Sequence, residues 1–292
     1  MPIAIFEALC AIVVVATLVT MARAIPSAAQ RLRLAGDYAL LAAAGLVGEQ
    51  TSITLYRHYA YAEGWHARVG DVPALVPLIW PLVILSARAV RQSLFPHARS
   101  WQRPLLTGLF VTADASLMEV LATRAGLWSW TEAGHLEVPL LGILAWGYFA
   151  GAADALLDRL DGLGRWLVVP GSVLVAHALI CASWWYGLRW VLRGDLGLTS
   201  VAVVAALGAL TTVKGLSLRR AGRLLPRAVV LPRLAATALF VVLFVSSAAD
   251  AWQCWMHLVS IAVPYWTVTD LGALRSTRPE NKPRLGVAGR GP

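Results

Sequence analysis

The chain has 292 residues, of which 58% are hydrophobic and 14% charged, with a formal net charge of +9. A soluble surface usually carries about a quarter charged residues, so this composition excludes an ordinary soluble domain and fits a perimeter that faces lipid. Nucleic-acid binding needs a basic patch on a folded module. Here the positive residues are scattered between apolar runs, so nucleic acid is not an expected partner.

Those runs predict an all-α polytopic membrane bundle. A bilayer core asks for roughly 20 apolar residues per helix. Such segments lie near 2–22, 36–56, 72–90, 104–124, 137–157, 166–188, 197–216 and 234–262. None alternates with period two as a membrane barrel strand does, so helices are expected, roughly seven or eight of them. The first segment lacks the positive start of a signal peptide and is read as a membrane helix, although Ser27-Ala28-Ala29 follows it. The third is the weakest, because Pro73, Pro77 and Pro81 interrupt it. The last is long enough to span with tilt, or to end along the interface around Pro264 to Trp266. Residues 1–268 are expected to form one membrane domain without internal repeats, in the cytoplasmic membrane of a cell. Residues 269–292, rich in Arg, Pro and Gly, are expected to be a disordered tail.

The arginines report topology. Arg23, Arg31 and Arg33 follow the first segment, Arg88, Arg91, Arg99 and Arg103 the third, and Lys214 to Arg233 the seventh. By the positive-inside rule these loops are cytoplasmic and the N-terminus lies outside. The loops between, around 57–71 and 124–136, carry only Arg57, Arg68 and Arg124. The basic tail conflicts with an even number of spans, which would put it outside. Cys10, Cys181 and Cys254 all fall within predicted helices and show no metal-ligand spacing. They are read as small apolar residues, and no metal is expected.

An ionised side chain deep in a bilayer costs on the order of 2.5–3.5 kcal/mol on insertion scales. Glu49, Asp114, Glu119 and Asp250 all fall within apolar segments, with too few deep cations in view to pair them. Such carboxyls are either interhelical glue or proton donors. Asp114 and Glu119 are five apart, on different sides of one helix. Asp250, Cys254 and His257 share one face, and a polar packing seam is preferred there over a metal site or proton relay. Asp154, Asp158 and Asp161 also share a face. A magnesium–diphosphate motif would need a second aspartate cluster that the chain lacks, so a solvated helix end is preferred. Among thirteen tryptophans, Trp65, Trp101, Trp128, Trp130, Trp166, Trp190 and Trp266 sit at predicted membrane edges and are first read as an aromatic belt. Trp80, Trp146, Trp184, Trp185 and Trp252 lie deeper, where an aromatic wall can hold an apolar ligand and stabilise a cation.

Two stretches carry a resemblance. The first is Gly48-Glu49, then Tyr56, Tyr59 and Tyr61, then Gly70-Asp71-Val72-Pro73 running to Trp80. The second is Asp114 to Glu119, Gly126-Leu127-Trp128-Ser129-Trp130, Glu137-Val138-Pro139, Gly142 and Trp146. Over roughly 48–150, about a third of the chain, this resembles the polytopic carotenoid biosynthesis family that includes γ-carotene 1′,2′-hydratase and bisanhydrobacterioruberin hydratase. The resemblance implies water addition to a terminal trisubstituted alkene of a hydrophobic polyene or isoprenoid, without a cofactor. A buried carboxylic acid would protonate the alkene, and aromatic faces would shelter the tertiary cation. Asp114 or Glu119 would be the acid and Glu49 the water-orienting base. Trp80, Trp128, Trp130, Trp146, Tyr56 and Tyr59 would bind substrate. Two other readings stay open. One is a different isoprenoid-modifying enzyme, a cyclase or a prenyltransferase, of which magnesium dependence would mark the latter. The other is a non-catalytic protein, a transporter or an associate of other membrane enzymes of a pigment pathway.

Overall fold

The computed structural model describes residues 2–132, 134–191 and 197–270; residues 271–292 of the basic tail lie outside the described residues. The chain runs as α1 (Ile3–Ala24), α2 (Ala28–Thr54), the short strands β1 (Tyr59–Tyr61), β2 (Arg68–Val69) and β3 (Val72–Pro73), α3 (Leu75–Leu94) and α4 (Gln102–Arg124). Then follow β4 (Trp128–Trp130), α5 (Leu140–Arg159), a 3-10 turn (Gly162–Leu167) and α6 (Val168–Ile180). α6 widens into a π-helical stretch (Cys181–Leu188) and closes with the single turn α7 (Arg189–Val191). The last elements are α8 (Leu198–Arg220), α9 (Arg227–Ser247) and α10 (Trp252–Val268).

The protein is an all-α membrane bundle, and among the described residues seven helical segments are long and apolar enough to cross a bilayer. α2 is more polar and α10 shorter; α2 packs on α3 and α6, and α10 on α8. Ser27 caps α2 by accepting the Gln30 amide at 3.2 Å. The three prolines of the third segment are accommodated by position. Pro73 falls in β3, Pro77 lies in the first turn of α3, where no amide donor is required, and only Pro81 is interior. Side chains such as Ile12 and Val15 of α1 and Leu210 and Val213 of α8 are exposed and face lipid.

The apolar run 234–262 is a correction to expectation, being two helices rather than one. The chain turns through residues 248–251, where the Ala251 amide donates to the Ala248 carbonyl at 3.2 Å. Asp250 sits in this turn at the N-terminal end of α10, where a helix dipole favours an acid, and pairs with Arg124 at 3.1 Å. One polar residue in a long apolar stretch thus marks a reversal. The extra passage also removes the conflict over the tail. Leu225, in the arginine-rich α8–α9 loop, bridges to Thr269 at the end of α10. Arg219 donates to the Thr267 carbonyl at 3.2 Å. The chain therefore leaves the bundle at its arginine-rich end.

At the opposite end a small lid covers the bundle. β1 and β4 pair antiparallel, with Tyr59 opposite Trp130 and Tyr61 opposite Trp128. Residues two apart on a strand share a face, so all four rings turn inward while Ala60 and Ser129 face out. A Schellman turn aims β4 back over the helices: the Leu127 amide donates to Ala122 and the Gly126 amide to Thr123, each at 2.9 Å. Gly126 has φ of 70°, a conformation that glycine adopts without steric cost.

Candidate active site

Glu49 is five residues from the end of α2 and Glu119 five from the end of α4. At 1.5 Å per residue each glutamate is set ~7.5 Å back from the end of its own helix. Helix C-termini carry partial negative charge and disfavour an acid nearby. The compensation comes from other elements. Glu119 accepts three indole N–H groups: Trp128 at 2.9 Å and Trp130 at 3.1 Å on Oε2, and Trp146 at 2.6 Å on Oε1. Glu49 accepts Trp80 at 2.8 Å on Oε1, and the hydroxyls of Tyr61, at 2.8 Å, and Tyr59 on Oε2. Burial and the facing Glu49 push both phenols well above the usual tyrosine range, so they remain donors. Both glutamates are nearly inaccessible, at 8% and 2% exposure.

The two carboxyls are arranged alike. Each has one oxygen that takes two donors and one that takes a single indole. Those two single indoles, Trp80 and Trp146, lie against each other with ring centroids 4.5 Å apart. Phe149 meets Trp80 edge-on at 4.8 Å, and Tyr59 tilts over Trp130 at 4.9 Å. The Trp130 indole occupies the space where any residue larger than Gly142 would place a side chain.

Around these groups is a cavity of about 1030 Å³, counting its open mouth, with Phe6, Ile79, Phe240 and Leu243 on one flank. Gly48, Val173, Ala176 and His177 form the other. Neither lysine nor arginine is among the described lining residues. Its apolar walls and few convergent polar groups suit a small-molecule site.

The structure brings together Glu49, Glu119, Trp80, Trp128, Trp130, Trp146 and Tyr59. It does not bring Asp114 or Tyr56 to them. Asp114 pairs with Arg233 of α9 at 2.7 Å and accepts the Tyr265 hydroxyl at 3.0 Å, so a deep cation does exist for it. Arg233 also donates to Ser86 at 2.8 Å, which joins α3, α4, α9 and α10. Tyr56 lies outside the cavity wall, stacked on His58 at 5.3 Å and edge-on to His177 at 5.1 Å. Trp128, Trp130 and Trp65 turn inward rather than forming a belt, whereas Trp101, Trp166, Trp190 and Trp266 are exposed. Phe149 and His177 were not singled out from sequence, and Tyr61 was named for the resemblance but not among the expected site residues. Tyr61 was legible through its two-residue spacing from Tyr59.

The other acidic clusters are countered. Asp154 is fully buried instead of solvated, with Arg88 at 3.1 Å, Arg91 at 3.7 Å and the Thr107 hydroxyl at 2.9 Å. Asp158 pairs with Arg88, and Asp161 with Arg33 at 3.4 Å. Asp250 stands apart from Cys254 and His257, which are buried on α10. No group of three metal-ligating side chains occurs among the described residues.

These features define a membrane-embedded helical protein with a carboxyl pair sunk in an aromatic cavity. The carotenoid biosynthesis protein family matches residues 4–162, more than half of the chain, and the protein belongs to that family. The matched region holds both glutamates and all six of their donors. It assigns the protein a role in carotenoid or isoprenoid biosynthesis, in contact with lipid and a hydrophobic isoprenoid substrate. No curated protein and no solved structure matches the chain.

Proposed function

We propose that the protein is a hydratase, which adds water across a terminal trisubstituted alkene of a carotenoid or related isoprenoid. The observation that carries this reading is the donor pattern on Glu119. Three fixed N–H groups receive the negative charge left on the carboxyl once its proton has gone to the alkene. The tertiary cation then faces the rings of Trp80, Trp146, Trp130 and Tyr59, whose π-faces attract positive charge. Glu49 orients the water that captures the cation. Asp114, held by Arg233, is assigned to helix packing rather than chemistry. Acid–base chemistry of this kind asks for no cofactor.

The location fits the substrate. The polyene body belongs in the bilayer, and the apolar flank of Phe6, Ile79, Phe240 and Leu243 offers it a continuation of that environment. The reacting end must meet water, and both carboxyls lie close to a helix end. The positive-inside rule puts an arginine-rich end on the cytoplasmic side, which supports chemistry at the opposite, outer face of the membrane.

A bacterial host that accumulates linear and monocyclic carotenoids provides the test. Expression of the chain should yield a more polar pigment heavier by one water, and Glu119→Gln should not. A new pigment of unchanged mass would instead mark a cyclase, which the same acid and the same aromatic walls also serve. A pigment heavier by an isoprenyl unit would mark a prenyltransferase. An unchanged profile with the protein present in the membrane would overturn the hydratase reading for these substrates.

A further inference from the structure

The cavity has one polar flank that the four indoles and two phenols do not account for. Ser52 follows Glu49 by three residues on α2, so both sit on one helix face. Across from them on α6 stands His177, and all three line the cavity. Among the described residues the Ser52 hydroxyl has no hydrogen-bond partner in the protein.

The tautomer of His177 follows from its neighbour. Its Nε2 lies 3.4 Å from Thr51 Oγ1. Thr51 has a single hydroxyl proton, committed to the Val47 and Gly48 carbonyls at 2.8 and 3.0 Å. With that proton so directed, Thr51 accepts from His177, which assigns the hydrogen to Nε2 and leaves Nδ1 as an acceptor. Beyond the ring the flank continues toward the surface through Tyr56 and His58 to the Arg189–Glu132 ion pair at 2.8 Å.

We propose that Ser52 and His177 bind the water that becomes the product hydroxyl, with His177 Nδ1 accepting a proton from it as the C–O bond forms. The proposal rests on the hydratase reading and adds to it a water site whose base, His177, lies outside the family-matched region. The step balances without redox chemistry. The alkene π pair takes the Glu119 proton at the less substituted carbon, leaving the other carbon cationic. A water lone pair closes the C–O bond, and one water proton moves to Nδ1. Exchange with solvent returns a proton to Glu119, so the net change is one water added.

The experiment uses the full chain in lipid nanodiscs, with a linear carotenoid, in D2O. Three readouts are followed: alcohol formed, deuterium in recovered alkene, and thermal unfolding. In His177→Leu the acid is intact, so the cation still forms but loses a proton back instead of being captured. Alcohol should fall by ~10²-fold or more, while deuterium uptake at the vinylic carbon and terminal methyls persists. Glu119→Gln should abolish both. His177→Asn places an amide oxygen near the Nδ1 position and should recover more alcohol than His177→Gln, whose amide falls nearer Nε2. The proposal is overturned if folded His177→Leu makes alcohol at the normal rate. It is equally overturned if deuterium uptake and alcohol are lost together, or if Gln rescues better than Asn. A wild-type protein that forms no alcohol overturns the hydratase reading itself, an outcome visible before any variant is made.

Discussion

Replacing Glu119 separates its chemistry from its structural part. A glutamine there keeps one carbonyl oxygen and turns the other carboxyl oxygen into an NH2 group. With the carbonyl toward Trp128 and Trp130, the NH2 meets the Trp146 N–H, 2.6 Å from the original oxygen. Two donors then face each other and one buried N–H loses its acceptor, at a cost of about 1–3 kcal/mol. Alanine strips the acceptor from all three indoles, a cost of about 3–9 kcal/mol by the same reckoning, comparable to the 5–15 kcal/mol that holds a typical domain together. Glu119→Gln should therefore fold and Glu119→Ala should fold poorly or not at all. Turnover of the glutamine variant should drop by at least 10²–10⁴-fold, the usual worth of a positioned proton donor. Pigment conversion per folded molecule, with the folded fraction taken from detergent unfolding curves, measures both effects. A glutamine variant with wild-type turnover would refute the acid assignment. An alanine variant as stable as wild type would refute the claim that the indoles depend on this carboxyl.

Asp114→Ala leaves Arg233 without its partner and should cost about 3–5 kcal/mol, yet turnover per folded molecule should stay near wild type; a large loss of specific activity would return Asp114 to the chemistry. Gly142→Ala places a methyl group against the Trp130 indole. It should destabilise by about 1–3 kcal/mol and lower turnover as Trp130 moves off Glu119, as paired unfolding and activity assays would read. Glu137 holds φ of 70° without being glycine, so Glu137→Gly should stabilise by up to about 1 kcal/mol, the left-handed strain relieved less the added freedom of the unfolded chain. Burial first, then nearby His177 and Arg189, lowers His58 from 6.5 to about 4. The unfolded chain thus binds the proton more readily, so the His58 contribution to stability is complete above pH 6.5 and is lost as pH falls toward 4. His58→Gln should flatten the unfolding midpoint against pH across that window.

How much of this was readable depended on the length scale of each signal. Bilayer-length apolar runs identify helices because the hydrocarbon core sets a minimum length, and the seven apolar segments followed from that. The α9–α10 reversal was hidden because a tight turn within 234–262 needs few polar residues, and Asp250 was the one visible mark of it. The site was readable in type but not in membership. Both glutamates, Trp80 and Trp146 stood out as costly or unusual residues at membrane depth, and Trp128 and Trp130 entered through the family resemblance, but sequence alone could not pair Asp114 with Arg233, 119 positions away. His177 gave no local signal, because its neighbours Thr51 and Tyr56 lie on and beyond a distant helix. Tyr61 and Trp128 turned inward only once the β1–β4 register was known.

The lid and the two glutamates also explain each other. A carboxyl near the C-terminal end of a helix is opposed by the dipole and by burial, and α2 and α4 each carry one. Nothing within those helices offsets the cost. The offset comes from β1, β4, α3 and α5, which deliver N–H and O–H donors whose bodies are large apolar rings. The same groups that steady the carboxyls therefore wall the cavity, exclude bulk water and present π-faces to any cation formed there. A lysine or arginine could have balanced each glutamate more simply, as Arg88 and Arg91 balance Asp154. A cation at that position would repel a carbocation and lock the carboxyl in an ion pair. Neutral donors on aromatic rings would leave the acid able to give up its proton and the cavity fit to receive positive charge, as the proposed hydration requires.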